Sequence, residues 1–117
     1  MMDKTNRTRV PNRVGREEIF SLAQRIWQGQ DRVTIEIASD ALTIIHKKYE
    51  AEPTFFSGKS MKGILGGLFC LLGQRYGKSK TQREIATSLN TTEVTVRASC
   101  RMWTELVQKH YEYTKVE

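Results

Sequence analysis

Long apolar runs, prolines, cysteines and histidines are all scarce in this sequence, and each scarcity excludes something. The longest nearly unbroken apolar stretch spans residues 61–72, twelve positions that include Lys62. A bilayer-crossing helix needs ~20 such residues. The first sixteen residues hold no apolar run, so no secretory signal is expected there. Only two of 117 residues are proline, while 38% are hydrophobic and 27% charged. That balance is too apolar for a disordered tail and too polar for a membrane protein. At ~100–200 residues per domain, one soluble cytoplasmic domain is expected.

The few cysteines and histidines suggest no chemistry. Cys70 and Cys100 both sit inside apolar helical patterns, where a free thiol behaves as a small buried hydrophobe. Their spacing matches no zinc or redox motif, and His46 and His110 are far apart. A single disulfide between them would be out of place in a reducing compartment. Gly58-Lys59-Ser60 and Gly77-Lys78-Ser79 imitate the end of a phosphate loop. Each has Pro53 or Leu72 where the pattern needs a glycine. No Ser, Cys or Lys nucleophile has an assignable base. The expectation is a protein with no catalytic residues, no metal and no cofactor.

What the sequence does have is positive charge, unevenly placed. The net charge is +6. Residues 1–16 carry five basic side chains against one acid, and residues 74–101 carry six against two. Such asymmetry points to a polyanion partner, nucleic acid before membrane. Residues 1–15, broken by Pro11 and Gly15, read as a flexible basic arm.

The remainder reads as helices. From Arg16, the residues Ile19, Leu22, Ala23, Ile26 and Trp27 make the stripe of an amphipathic helix. Glu17 and Glu18 suit its positive end, and the run Gly29-Gln30-Asp31 closes it. Thr34 is the expected N-cap of a second helix. Its buried face is Ala38, Ala41, Leu42, Ile45 and Tyr49, widened by Ile37 and Ile44 until Pro53 stops it. A third helix is expected over 57–76. It is apolar nearly all round, so other elements must wrap it. Gly63, Gly66 and Gly67 inside it each cost ~1 kcal/mol against alanine, which predicts close approach of neighbouring helices. Two shorter helices follow over 81–89 and 93–108. Thr81 and Glu84 form a capping box for the first, and Thr92 caps the second. Strand-period alternation is absent, so the fold class is all-α with five helices. The tail 109–117 is polar and expected to fray from Tyr111.

The functional signal lies in QREIATSLNTTEVTVRASCRMW, residues 82–103. Ala86 is the small residue of a close helix crossing, with Ile85 and Leu89 facing the core. Asn90 stands where a tight turn needs positive φ, which asparagine tolerates best after glycine. Val96 anchors the next helix, and Val96, Cys100, Trp103 and Val107 follow core spacing. This is the pattern of a helix-turn-helix over 81–108, whose second helix enters the DNA major groove. Arg97 is the expected base reader, since its fork pairs with the two acceptors of guanine. Val94 would pack on a thymine methyl and Thr95 would bond a base edge or a phosphate. Lys78, Lys80, Gln82, Arg83, Thr92 and Arg101 are the expected phosphate contacts, which position without specifying.

The stretch KTQREIATSLNTTEVTVRASCRMWTEL, residues 80–106, resembles the end of a cyclin-like repeat of archaeal transcription factor B and eukaryotic transcription factor IIB. The nearest local match is TEVTVR, residues 92–97. SGKSMKGILGGLFCLLGQRY, residues 57–76, is similar to that family's small-residue-rich central helix. The resemblance implies a single five-helix cyclin-like repeat over 16–108. It implies a last helix in the major groove beside the TATA box, with Val94 and Arg97 at base-touching positions. The implied partners are duplex DNA, the TATA-binding protein and RNA polymerase. The chain shows one repeat where the family carries two, and no cysteine pair of the family's zinc ribbon. The expectation is therefore a stand-alone DNA-binding relative or a homodimer imitating two repeats. A cyclin-like adaptor for a transcription protein and a dimeric helix-turn-helix repressor are the alternative readings.

Overall fold

The structure, a computed structural model, describes residues 15–115. It is all-helical, and no strand occurs among the described residues. Among the described residues five α-helices follow one another: α1 Arg16–Trp27, α2 Arg32–Ala51, α3 Met61–Arg75, α4 Gln82–Leu89 and α5 Glu93–Lys115. A short 3-10 turn, Pro53–Phe56, lies between α2 and α3. The basic arm expected over 1–15 lies outside the described residues except for Gly15. None of the described helices is long and apolar enough to cross a membrane.

The hub is α3. Met61, Gly63, Ile64, Leu65, Gly66, Gly67, Leu68, Phe69, Cys70, Leu72 and Gly73 are all buried. A helix without a polar face is stable only when covered on every side, and α2, α4 and α5 supply that cover. α1 packs on α2 and α4, contributing Ile19, Leu22, Ala23 and Ile26 to the same core. The Trp27 ring also meets Phe69 of α3 edge-on, with centroids 6.0 Å apart.

The tightest joint is the crossing of α3 and α5. A Cβ built on Gly67 would lie 2.2 Å from the Cys100 backbone nitrogen, so the two backbones touch where only hydrogen fits. Around this contact the polar groups are shared. The Gly67 N–H donates to Ser99 Oγ at 3.0 Å, and the Ser99 hydroxyl donates to the Ile64 carbonyl. Trp103 Nε1 donates to that same carbonyl at 2.8 Å. Ser99 and Trp103 are both fully enclosed, so each polar atom finds its partner inside the crossing.

Three boundaries differ from the expectation. Asp31, not Thr34, caps α2: its carboxylate accepts from the Thr34 N–H at 3.0 Å. Hydrogen bonding with Thr34 and then Lys78 holds Asp31 down at about 2. Thr34 is instead buried in the first turn, against the core. The third helix starts at Met61 with Ser60 as its cap. The residues before it are taken by the 3-10 turn, which inserts Phe56 into the core. The last helix does not fray at Tyr111 but continues to Lys115. The Tyr111 hydroxyl donates to Asp40 Oδ2 of α2 at 2.5 Å, and the Arg75 guanidinium lies 4.2 Å from its ring centroid. The Tyr76 hydroxyl donates to the same Asp40 oxygen at 2.5 Å. Burial, and then the Asp40 bond, pushes Tyr76 up to about 12 and Tyr111 further up.

Candidate nucleic-acid interface

α4 and α5 are joined by the three residues 90–92. Thr81 and Glu84 complete both halves of the capping box at the start of α4, with bonds of 3.0 and 2.9 Å. Accepting from the Thr81 N–H lowers the Glu84 carboxyl from its ordinary range. α4 ends on Asn90, whose φ of 59° is left-handed. In that conformation the chain reverses, and the Thr91 N–H donates back to the Ala86 carbonyl at 2.9 Å. Thr92 then caps α5, its hydroxyl oxygen accepting from the Thr95 N–H at 3.1 Å. Ile85, Ala86, Leu89, Val96, Trp103 and Val107 are buried, so α4 and α5 are pinned to the hub by their inner faces.

That pinning decides what α5 presents outward. Val94, Arg97, Ala98, Arg101 and Met102 are exposed, one stripe at helical spacing. Val94 is 67% exposed and Met102 38%, so the stripe carries apolar as well as charged side chains. Beside the stripe runs an open groove of about 350 Å3, lined in part by Lys59, Gly63, Val94, Ala98 and Met102. Arg97 points away from the core and is met at 3.7 Å by Glu93 one turn earlier. Glu93 also meets Arg83 of α4 at 3.7 Å. One carboxylate therefore lies between two guanidiniums.

The other expected contacts fall in different places. Lys80 immediately precedes the α4 cap and is half-buried. Thr92 is engaged in capping, and its hydroxyl also donates to Thr95 Oγ1 at 2.8 Å. The Thr95 methyl faces α3, 2.8 Å from where a Gly63 Cβ would stand, so this side chain belongs to the helix joint. Gln82 is half-buried, its amide donating to Cys100 Sγ at 3.7 Å. Lys78 reaches the opposite way, pairing with Asp31 at 2.9 Å. Its carbonyl accepts from Trp27 Nε1 at 2.9 Å. The structure thus brings Val94, Arg97, Arg101 and Arg83 toward one exposed side and turns Thr95, Gln82 and Lys78 to packing or to the far end.

Ala98 and Met102 were not among the expected contacts, although their spacing from Val94 (four and eight residues) already put them on its face. Among the described residues, no group of three or more His, Cys, Asp or Glu comes together to hold a metal. The chain matches no family model, no curated protein and no solved structure. The functional reading therefore rests on the residues and their geometry.

Proposed function

We propose that this chain is a duplex-DNA-binding protein of the transcription initiation factor B type, reading the major groove with α5 of a helix-turn-helix. The observation that carries the reading is the outward stripe Val94, Arg97, Ala98 and Arg101, held rigid by the buried inner face of the same helix. A helix docked in the major groove needs a guanidinium for guanine and small apolar side chains for thymine methyls. Arg97 supplies the first; Val94 and Ala98 supply the second. Arg101 and Arg83 flank the stripe as phosphate contacts, with Lys80 at the entry to α4. By the resemblance above, the TATA-binding protein and RNA polymerase are the protein partners in this reading, and a homodimer would supply the second repeat.

The testing experiment is selection from random duplexes, followed by titration at several salt concentrations. A shared sequence motif is expected, and affinity should fall by about 0.9 log units per log unit of salt for each phosphate neutralised. Arg97→Ala should cost about 1–3 kcal/mol on the selected site, roughly 5- to 150-fold, and flatten preference at one position. Arg101→Ala should weaken all duplexes about equally. Recovery of no motif, or binding indifferent to salt, would overturn the proposal.

Glu93 gives a prediction of the opposite sign. Its carboxylate offsets Arg83 and Arg97 and would face the phosphates itself. Glu93→Gln should tighten duplex binding several-fold at low salt, the gain shrinking as salt screens it. Thermal stability should change little, because exposed ion pairs contribute ~0–1 kcal/mol. Fluorescence anisotropy on a labelled duplex and a melting curve measure the two effects.

A second reading, an adaptor module, is favoured by the groove between α1 and α2. It has a volume of about 410 Å3, is lined by Phe20, Gln24 and Thr34 among others, and carries the exposed Ile35 on its rim. Capture of the TATA-binding protein without DNA, lost in Ile35→Glu and kept in Arg97→Ala, would support it.

A further inference from the structure

Two cysteines flank the α3–α5 crossing. Gly67 meets the backbone of Cys100, and Cys70 lies three residues further along α3, on the same side. Cys100 Sγ is 3.9 Å from the Gly67 carbonyl and accepts from Gln82 Nε2 at 3.7 Å. Cys70 Sγ donates to the Lys80 carbonyl at 3.7 Å. Both cysteines are free. We propose that Cys70 and Cys100 are a peroxide-sensitive dithiol, a modification site that closes into an intramolecular disulfide joining α3 to α5.

The two sulfurs have unequal environments, which assigns their roles. Cys100 is half-buried, whereas Cys70 is 3% exposed. Hydrogen bonding with Cys70, and then with Gln82, outweighs burial and holds the Cys100 thiol below its ordinary value. The same contact and burial push Cys70 up. Cys100, the thiol that solvent reaches, is therefore the attacking group as its thiolate, and the enclosed Cys70 is the resolving thiol.

The oxidant is hydrogen peroxide. The Cys100 sulfur attacks one peroxide oxygen, the O–O bond breaks, and hydroxide leaves to take up a proton as water. Cys100 is then a sulfenic acid. The Cys70 sulfur attacks that sulfur, the S–S bond forms, the S–O bond breaks, and the departing hydroxide leaves as water with the Cys70 proton. Two thiols have lost two hydrogens and two electrons, and one peroxide has become two waters. The new bond removes the S–H donor at the Lys80 carbonyl and alters the sulfur that accepts from Gln82. Both lie at the entry to α4.

The test uses the full-length chain and no nucleic acid, so its outcome is independent of whether duplexes bind. The protein is exposed to hydrogen peroxide, quenched with catalase, denatured in N-ethylmaleimide and weighed by mass spectrometry. The expected product has lost the mass of two hydrogens, takes up no maleimide, stays monomeric on a non-reducing gel and yields one cross-linked Cys70–Cys100 peptide. Dithiothreitol should restore two maleimide adducts. In Cys70→Ala, dimedone should capture a sulfenic acid at Cys100; in Cys100→Ala, Cys70 should stay unmodified. Two maleimide adducts after peroxide, disulfides between chains, or Cys70 reacting unaided in Cys100→Ala would each overturn the proposal.

Discussion

Gly67→Ala is expected to cost the protein a large share of its stability. A methyl at this position would stand 2.2 Å from the Cys100 nitrogen and 2.3 Å from the Ser99 carbonyl carbon. Both are backbone atoms of α5, so no side-chain rotation relieves the clash, and α5 must move away from α3. Alanine gains ~1 kcal/mol of helix propensity over glycine, which opposes the effect. Overpacking costs ~1–3 kcal/mol when side chains can adjust, and more when they cannot. Separation of the helices would also break the Gly67–Ser99 bond and expose the Trp103 pocket. The steric effect wins. A net loss of about 3 kcal/mol or more is expected, against ~5–15 kcal/mol for a whole domain. The melting midpoint should fall by roughly 12 °C or more. Gly29→Ala is the control: its Cβ meets nothing closer than the Trp27 carbonyl oxygen at 4.0 Å. If Gly67→Ala melts where Gly29→Ala does, the helix contact is wrongly described.

Trp103→Ala is of similar size, and its cause differs. Trp103 is fully buried, packs edge-on against Phe55 with centroids 5.7 Å apart, and donates to the Ile64 carbonyl. Truncating a buried Trp leaves a cavity and costs ~3–5 kcal/mol. Trp103→Phe keeps much of the ring volume and loses the N–H. The Ile64 carbonyl would still accept from Ser99, so no buried acceptor is stranded and the hydrogen-bond loss is ~1 kcal/mol. Urea unfolding should place the phenylalanine variant well above the alanine variant, with similar slopes. Equal losses would mean that the hydrogen bond, rather than the packing, holds α5 in place.

The residues behind these two effects show where the sequence could be read and where it could not. The three glycines of α3 announced a close crossing, because each carries a propensity penalty that something must offset. Which helix crosses there, and that Ser99 and Trp103 share one carbonyl with it, depends on residues more than thirty positions apart. The Thr81–Glu84 box and the left-handed Asn90 were legible because their partners lie within four residues. Thr34 misled as a cap, since Asp31 lies three residues before it and both can cap a helix at that spacing. Burial of Thr34 decided between them. The continuation of α5 past Tyr111 had no local signal either: its anchor is Asp40, 71 residues away.

For the candidate interface the division is similar. Arg97, Arg101 and Val94 could be assigned to the outer face by helical period alone. Thr95, Gln82 and Lys78 could not be removed from the list that way. Their directions depend on Gly63, Cys100 and Asp31, which belong to other elements. That Cys70 and Cys100 flank one helix crossing was hidden for the same reason, since each looked like an isolated small hydrophobe.

Periodicity and local caps by themselves determined the helical class of the described residues, their five segments, the apolar hub and the outward stripe of α5. Those features arise within a few residues, where one turn of backbone sets the geometry. Only tertiary packing decided which polar groups are consumed holding helices together and which stay free to meet a partner. A hydrogen bond or ion pair across the fold costs a side chain its outward reach, and its partner is chosen by the helix crossing.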